Sequence, residues 1–356
     1  MPSRMRAEIG EQPDALRRTL DSLLPQAGAL EALGRETRQV LFIARGSSDN
    51  AAVYGQYLCS VRAGRLASLA SPSLATVYRA DLDLHGVLAV AVSQSGATEE
   101  IVTTLRWARR CGARTVAVTN VAGSPLTEAA DVALITQAGR ELAVPATKTY
   151  TTQLAALAVL ALSVGRGASA GPAGPGLPGA GLEELRRVPE AVEAMLDVAP
   201  AAEALAGRLT DADTLVVSGR GFAYSTALEL SLKLKETCYV TAVGLSYADL
   251  VHGPIAILDP GTPALLVAAA DGPMLPEMTG LARRIAATGA DVYGIGGGQE
   301  LAAVCRSTLP GPGLSEHLAP LALVVPGQLL VEALARAKGL DPDAPRGLDK
   351  VTQTDL

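Results

Sequence analysis

Three sets of residues in this chain have types and spacings that could do chemistry. The first is the turn Ser93-Gln94-Ser95-Gly96-Ala97-Thr98, which follows the apolar run Val90-Ala91-Val92 and precedes an amphipathic stretch. A strand entering such a turn sets hydroxyls and free backbone N–H groups at a helix N-terminus, where unsatisfied donors and the positive end of the dipole favour a phosphate. The turn has neither the glycine spacing of a dinucleotide loop nor the Gly-Lys-Ser/Thr of a P-loop, and a turn rich in Ser and Thr also serves simply as a capped helix start. The second set is Glu229, Lys233 and Glu236 within residues 227–236. Apolar residues alternate there as in a strand, but Leu, Lys and Glu are strong helix formers and no β-branched residue supports a strand, so the segment reads as helix. On a helix Lys233 shares a face with both glutamates. That suits a proton-carrying carboxylate beside a fixed cation, and equally a solvated face of i,i+3 and i,i+4 ion pairs. The third is His252, placed before Gly253-Pro254 at a turn, where a group titrating near neutrality could exchange protons in a cleft or play a structural part. His85 and His317 have no such neighbourhood and read as surface or packing residues. No two histidines approach a metal-ligand spacing, so neither a metal nor another cofactor is expected.

A two-fold repeat supplies the elements that must position these groups. Val40-Leu41-Phe42-Ile43-Ala44-Arg45-Gly46 reappears as Leu215-Val216-Val217-Ser218-Gly219-Arg220-Gly221, and residues 107–116 are answered at almost the same offset by residues 283–292. Each half reads strand, helix, strand, helix, strand, which predicts an α/β fold of two tandem doubly wound parallel-sheet domains. The predicted boundaries are a helical leader over 1–29, a first domain over 30–164, a Gly/Pro/Ala linker over 165–181, a second domain over 182–340 and a tail over 341–356. Two prolines in Asp341-Pro342-Asp343-Ala344-Pro345 exclude helix and strand, leaving the tail disordered or docked. Ligands of open α/β sheets bind beyond the carboxyl ends of the strands, which puts Ser47, Ser48, Ser93 and Ser95 on one rim. In the second half the matching turn is Ala269-Ala270-Asp271-Gly272-Pro273, where a carboxylate replaces the hydroxyls, so one phosphate site is expected per chain.

Composition bounds the partners. The 356 residues suffice for about two domains, and 49% hydrophobic but 3% aromatic residues imply cores of Ala, Val and Leu. A net charge of −6 without a Lys/Arg run argues against nucleic-acid or anionic-membrane partners. Cys59, Cys111, Cys238 and Cys305 are scattered without a CxxC pair, in segments that read as buried, so free thiols in a reducing compartment are expected. The charged first 20 residues do not resemble a signal peptide, and the most apolar run, 154–164, is about half a bilayer span, so a cytoplasmic protein is expected.

The chain resembles the sugar isomerase (SIS) family, in particular the isomerase half of glucosamine-6-phosphate synthase and the SIS-type glucosamine-6-phosphate deaminases. The motifs run in order through nearly the whole sequence: Glu11-Gln12-Pro13, Ala44-Arg45-Gly46-Ser47-Ser48, the 93–98 turn, Ala146-Thr147-Lys148-Thr149-Tyr150-Thr151-Thr152-Gln153-Leu154, Leu232-Lys233-Leu234-Lys235-Glu236, His252-Gly253-Pro254, and Lys338-Gly339 through Pro345-Arg346 to Lys350. The resemblance implies flavodoxin-like SIS domains and a sugar-phosphate site on Ser47, Ser48, Ser93, Gln94, Ser95 and Thr98, with the backbone near Val144 beside the sugar. It places a proton-shuttling glutamate on Glu236, a polarising lysine on Lys233, a ring-opening histidine on His252 and a lysine approaching the sugar carbonyl on Lys350. In these relatives the histidine reaches in from a neighbouring subunit, which implies a homodimer with shared active sites.

That chemistry would open a hexosamine 6-phosphate, move its C2 proton to C1 and hydrolyse the ketimine to fructose 6-phosphate and ammonia. Two departures from the synthase stand out. The first ~30 residues of this chain lack the early cysteine of a glutaminase, so glutamine-driven synthesis is not expected, and Ala146 replaces a serine of the synthase, which bears on the sugar contacts. Residues 71–73 and 350–352 look more like the deaminases. Alternatives with the same enolate chemistry are a fructosamine-6-phosphate deglycase, a galactosamine-6-phosphate deaminase, or an elimination on an N-acetylated substrate. From another class comes a non-catalytic sugar-phosphate sensor.

Overall fold

The computed structural model describes residues 2–167 and 181–350. Most of the expected linker, 168–180, and the tail after Lys350 lie outside the described residues, while 165–167 finish a helix, Lys148–Gly167.

Two five-stranded parallel sheets form the framework. The first holds β1 (Gln39–Ile43), β2 (Leu66–Leu69), β3 (Val87–Val92), β4 (Arg114–Thr119) and β5 (Val132–Ile135) in the order β2-β1-β3-β4-β5. The second holds β6 (Thr214–Gly219), β7 (Thr241–Ser246), β8 (Ala264–Ala268), β9 (Val292–Gly296) and β10 (Ser307–Leu309) in the order β10-β9-β8-β6-β7. Read from the opposite edge this is the same order, the flavodoxin-like 2-1-3-4-5 arrangement whose switch point lies between the first and third strands. The sequence repeat therefore pairs β1 with β6 and β4 with β9. Each half carries five strands rather than the expected three, and several of the additional ones are short.

The described residues divide between two compact units. One contains the first sheet and comprises Asp14–Glu141, Lys148–Arg186 and Asp349–Leu356; the other contains the second sheet and comprises Met1–Pro13, Leu142–Thr147 and Arg187–Leu348. The leader is thus shared between them, with the helix Arg4–Gly10 in the second-sheet unit and most of the helix Gln12–Leu23 in the first-sheet unit.

In the first-sheet unit, β3 is Val-Leu-Ala-Val-Ala-Val and is buried on both faces beyond its first residue, as a central parallel strand must be. The helix Glu99–Arg110 then packs Ile101, Leu105 and Ala108 against Ala89, Ala91 and Ala117, with Glu99 and Glu100 in its first turn and Arg109 and Arg110 in its last, matching the dipole at both ends. The run 154–164 lies within the buried helix Lys148–Gly167, as expected. Gly34 lets the helix Ala27–Glu36 approach so closely that an added Cβ would overlap the backbone of Val164.

In the second-sheet unit the segment 227–236 belongs to the helix Ala223–Cys238, which Tyr239 ends in the left-handed conformation at φ 55°. A second long helix, Pro320–Ala337, packs against it, with Gly327 lying against Leu230. That helix is long and apolar enough to cross a membrane by length and composition, but 89% of it is buried inside the fold, as in a core helix. The segment 341–347 is docked rather than loose. The Asp343 carboxylate accepts hydrogen bonds from the Arg4 and Met5 N–H groups at 2.8 Å each, and its carbonyl accepts from Val144 N–H at 3.0 Å. Among the cysteines, Cys59 and Cys238 are buried, and burial pushes both thiols up to about 12. Cys111 and Cys305 are only half-buried, contrary to expectation, each packed against the edge of a hydrophobic core just after a helix ends.

Candidate active site

At the carboxyl ends of β1 and β3 the backbone turns into two helices. Ser47 and Ser48 open the helix Ser47–Val61, preceded by Gly46 at φ 58°, while Thr98 caps the helix Glu99–Arg110 from an extended conformation. Neighbouring strand register, Ile43 beside Ala91, brings the two turns to the switch point of the first sheet. The Ser93 and Gln94 backbone is tied to β4: Ser93 N–H donates to Val118 O at 3.0 Å, and Gln94 O accepts from Asn120 N–H at 3.1 Å. Gly96, at φ 62°, passes so near Ser124 and Thr119 that a Cβ would lie 2.9 Å from the Thr119 hydroxyl. Ser95 Oγ accepts from Ala97 N–H at 3.2 Å. The Ser47, Ser48, Ser93 and Thr98 hydroxyls make no hydrogen bond among the described residues. Free hydroxyls beside two helix N-termini form an arrangement that can hold an anion such as a phosphate ester.

Two charged groups at this end of the unit were not singled out in the sequence. Arg45 makes a bidentate pair with the buried Glu100, at 3.0 and 3.1 Å, which neutralises a carboxylate in the first turn of the helix after the hydroxyl turn. Its only sequence signal is an arginine directly before Gly46-Ser47. Glu141 is fully buried and accepts from Thr149 N–H at 3.1 Å, Thr149 Oγ1 at 2.6 Å and Lys350 Nζ at 2.5 Å. Lys350 is therefore docked within the first-sheet unit by a carboxylate far away in sequence.

The second-sheet unit carries the other candidates. Lys233 is 2% exposed and lies between Glu229, at 3.7 Å and itself fully buried, and Glu236, whose carboxylate it contacts directly. A solvated ion-pair face is excluded, since only Glu236 keeps appreciable exposure, at 24%. Burying an ammonium costs several kcal/mol, roughly, and two carboxylates on one helical turn offset that cost while leaving the cluster one negative charge in excess. One of the two, Glu236, is reachable from outside. His252 closes the short helix Tyr247–Val251, is exposed, and has no hydrogen bond among the described residues; Gly253 follows at φ 133°. Among the described residues His252 makes no hydrogen bond or ion pair with Lys233 or Glu236. Val144 and Ala146 lie in the segment Leu142–Thr147, which Glu8 holds by accepting from the Leu142 and Ala143 N–H groups. His85 is a surface residue beside Asp83 and His317 is buried edge-on to Phe222, so both fit the packing or surface reading. Among the described residues no group of three or more His, Cys, Asp or Glu is placed to hold a metal.

The SIS domain model matches residues 35–163 and 208–308. The chain belongs to the SIS-domain family. The glutamine–fructose-6-phosphate aminotransferase (isomerizing) of Thermococcus kodakarensis is 36% identical over 352 residues, covering 98% of this chain and 58% of its own length. Among solved structures, the C-terminal domain of glucosamine-fructose-6-phosphate aminotransferase from Francisella tularensis superposes with a TM-score of 0.86 at 28% identity, covering 97% of this chain and 99% of that one. A protein from Silicibacter pomeroyi DSS-3, provisionally named a phosphosugar isomerase, gives a TM-score of 0.81 at 34% identity, covering 96% and 100%. This SIS-domain chain thus spans somewhat over half the length of the curated relatives it matches, and its two sheets are tandem SIS domains.

Proposed function

We propose that the chain is a hexosamine-6-phosphate deaminase/isomerase, converting glucosamine 6-phosphate and water to fructose 6-phosphate and ammonia. The observation that carries this reading is the buried Lys233 held between Glu229 and the partly exposed Glu236 on one helix. A closed pyranose has no acidic C–H, so the ring opens first, with His252 exchanging the proton. In the open aldehyde the C2 proton is acidified by the carbonyl. Glu236 removes it and returns it to C1, while the Lys233 ammonium offsets the negative charge that develops on oxygen in the enolate. With nitrogen on C2 the product of that transfer is a ketimine, and water adds to its C2 carbon, expelling ammonia and leaving the ketone. The phosphate ester is held by Ser47, Ser48, Ser93, Gln94, Ser95 and Thr98, Val144 and Ala146 border the sugar, and Lys350 approaches its carbonyl. His252 is exposed and so is accessible to a second copy, in keeping with a homodimer in which this residue serves the partner's site.

Incubation with glucosamine 6-phosphate in deuterated water tests the reading. It predicts deuterium at C1 or C2 together with release of ammonia. Exchange without ammonia points to isomerisation alone, the reading favoured by relatives named isomerizing aminotransferases. No exchange at all identifies a sensor and ends the enzymatic reading.

A further inference from the structure

The second sheet has a switch point of its own, between β6 and β8, and it is not lined with hydroxyls. β6 ends at Gly219 and runs through Arg220 and Gly221 into the helix Ala223–Cys238; β8 ends at Ala268 and runs through Asp271 and Gly272 toward the helix Leu275–Ala286. Lodged against both turns is Glu316. An added Cβ on Gly272 would overlap its carboxylate, so that turn needs glycine, at φ 94°, to make room for it, while Gly221, at φ 61°, lies in ordinary contact range, a Cβ there standing 3.7 Å from Oε1. Glu316 is 6% exposed yet has no hydrogen bond or ion pair among the described residues.

The surrounding charges do not relieve it. Burial, and after it the repulsion from the exposed Asp271 of the β8 turn, pushes the Glu316 carboxyl up to about 7. From the β6 turn, Arg220 is committed elsewhere, to Glu277 at 2.5 Å and to the face of Tyr247 at 4.6 Å. On its own segment, His317 turns its ring to Phe222. A carboxyl with no protein donor among the described residues, largely covered but with its oxygens reaching solvent, stands beside a second carboxylate in the crevice where open α/β sheets take ligands, and together they can accept from a positively charged donor.

We propose that the switch-point crevice of the second sheet is a binding site for a small ammonium-type cation, ammonium itself or a primary alkylammonium, held by Glu316 and Asp271. Such a cation brings N–H donors for the buried carboxyl and cancels the repulsion between the pair. Two carboxylates without a third protein ligand are too few for a dedicated metal cage. The site is independent of the hydroxyl turn and stands whether or not the chain is a deaminase.

The test is titration of the full chain, at about pH 8 where free carboxyls are ionised, with ammonium chloride or methylammonium chloride against sodium chloride at matched ionic strength. Thermal stability and calorimetric heat are the readouts. The expected result is a saturable rise in melting temperature with both ammonium salts and none with sodium. It should disappear in Glu316→Gln and, should that variant fold poorly, in Asp271→Asn at the exposed mouth, while Glu236→Gln leaves it unchanged. At neutral pH, binding should also release a proton, seen as a heat that varies with the buffer. Equal responses to ammonium and sodium, or an undiminished response in Glu316→Gln or Asp271→Asn, would overturn the proposal and leave a carboxyl pair that holds a proton only.

Discussion

At the scale of single residues, the chemistry of this chain depends on where charge is buried and what accompanies it. Lys233 is the clearest case. Replacing it by Met removes the cation but leaves Glu229 fully buried, so Lys233→Met should lower the unfolding free energy by about 3–5 kcal/mol, and adding Glu229→Gln should recover part of that loss. Urea unfolding checks both; a loss within about 1 kcal/mol would be the value for an exposed pair instead. Glu316 gives a pH dependence of definite sign. Its carboxyl is raised from the ordinary 4.5 to about 7, so the folded chain holds this proton more tightly than the unfolded one. Its contribution to stability is therefore full below about pH 4.5 and declines as pH rises toward about 7. Melting temperatures across that window should fall less in Glu316→Gln than in the parent. The ion-pair spacing of Glu229, Lys233 and Glu236 could be read directly from the sequence. Their burial could not, because it depends on the elements packed around the helix, β6, β7 and the helix Pro320–Ala337, rather than on spacing within it.

Among the elements, the turns at strand ends carry the candidate functional groups and the glycines fix their course. Gly96→Ala should cost about 1–3 kcal/mol through a left-handed residue and the close approach to Ser124 and Thr119. Because it displaces the hydroxyl turn rather than Glu236, it should raise KM for the phosphorylated sugar much more than it lowers kcat, as steady-state kinetics will show. The strand-turn-helix pattern around 90–110 was legible because periodicity, a capping threonine and dipole-matched charges all agree there. The short strands β2 and β10 were not, since three or four residues leave too little pattern. The helix Pro320–Ala337 was hidden for another reason. Gln328 and Glu332 interrupt its apolar run, and they are tolerated inside because Gln12 donates to Gln328 at 2.9 Å and Ser3 to Glu332 at 2.8 Å, from the other end of the chain.

For the molecule as a whole, the repeat was legible as two halves of one topology, and the structure extends it to identical strand orders. The chemical difference between the two turns was legible in part, through Asp271 but not Glu316. Hydroxyls line the first switch point, while carboxyls occupy the second. What sequence could not supply is the docking of the chain ends, where Asp343 takes the Arg4 and Met5 N–H groups and Glu141 takes Lys350. The proposed sharing of His252 across a dimer has its own consequence. Glu236→Gln and His252→Ala, each inactive alone, should regain about a quarter of parental activity after co-refolding in equal amounts, since half the dimers then hold one intact site. No recovery would mean that each protomer uses its own histidine.

The central claim is that one carboxylate carries the proton between adjacent sugar carbons. It is tested most directly by the rate at which Glu236→Gln exchanges the C2 proton of glucosamine 6-phosphate with deuterated water, compared with the parent. The account predicts a fall of about 10²–10⁴-fold with the fold and sugar-phosphate binding retained. Exchange at the parental rate would contradict it.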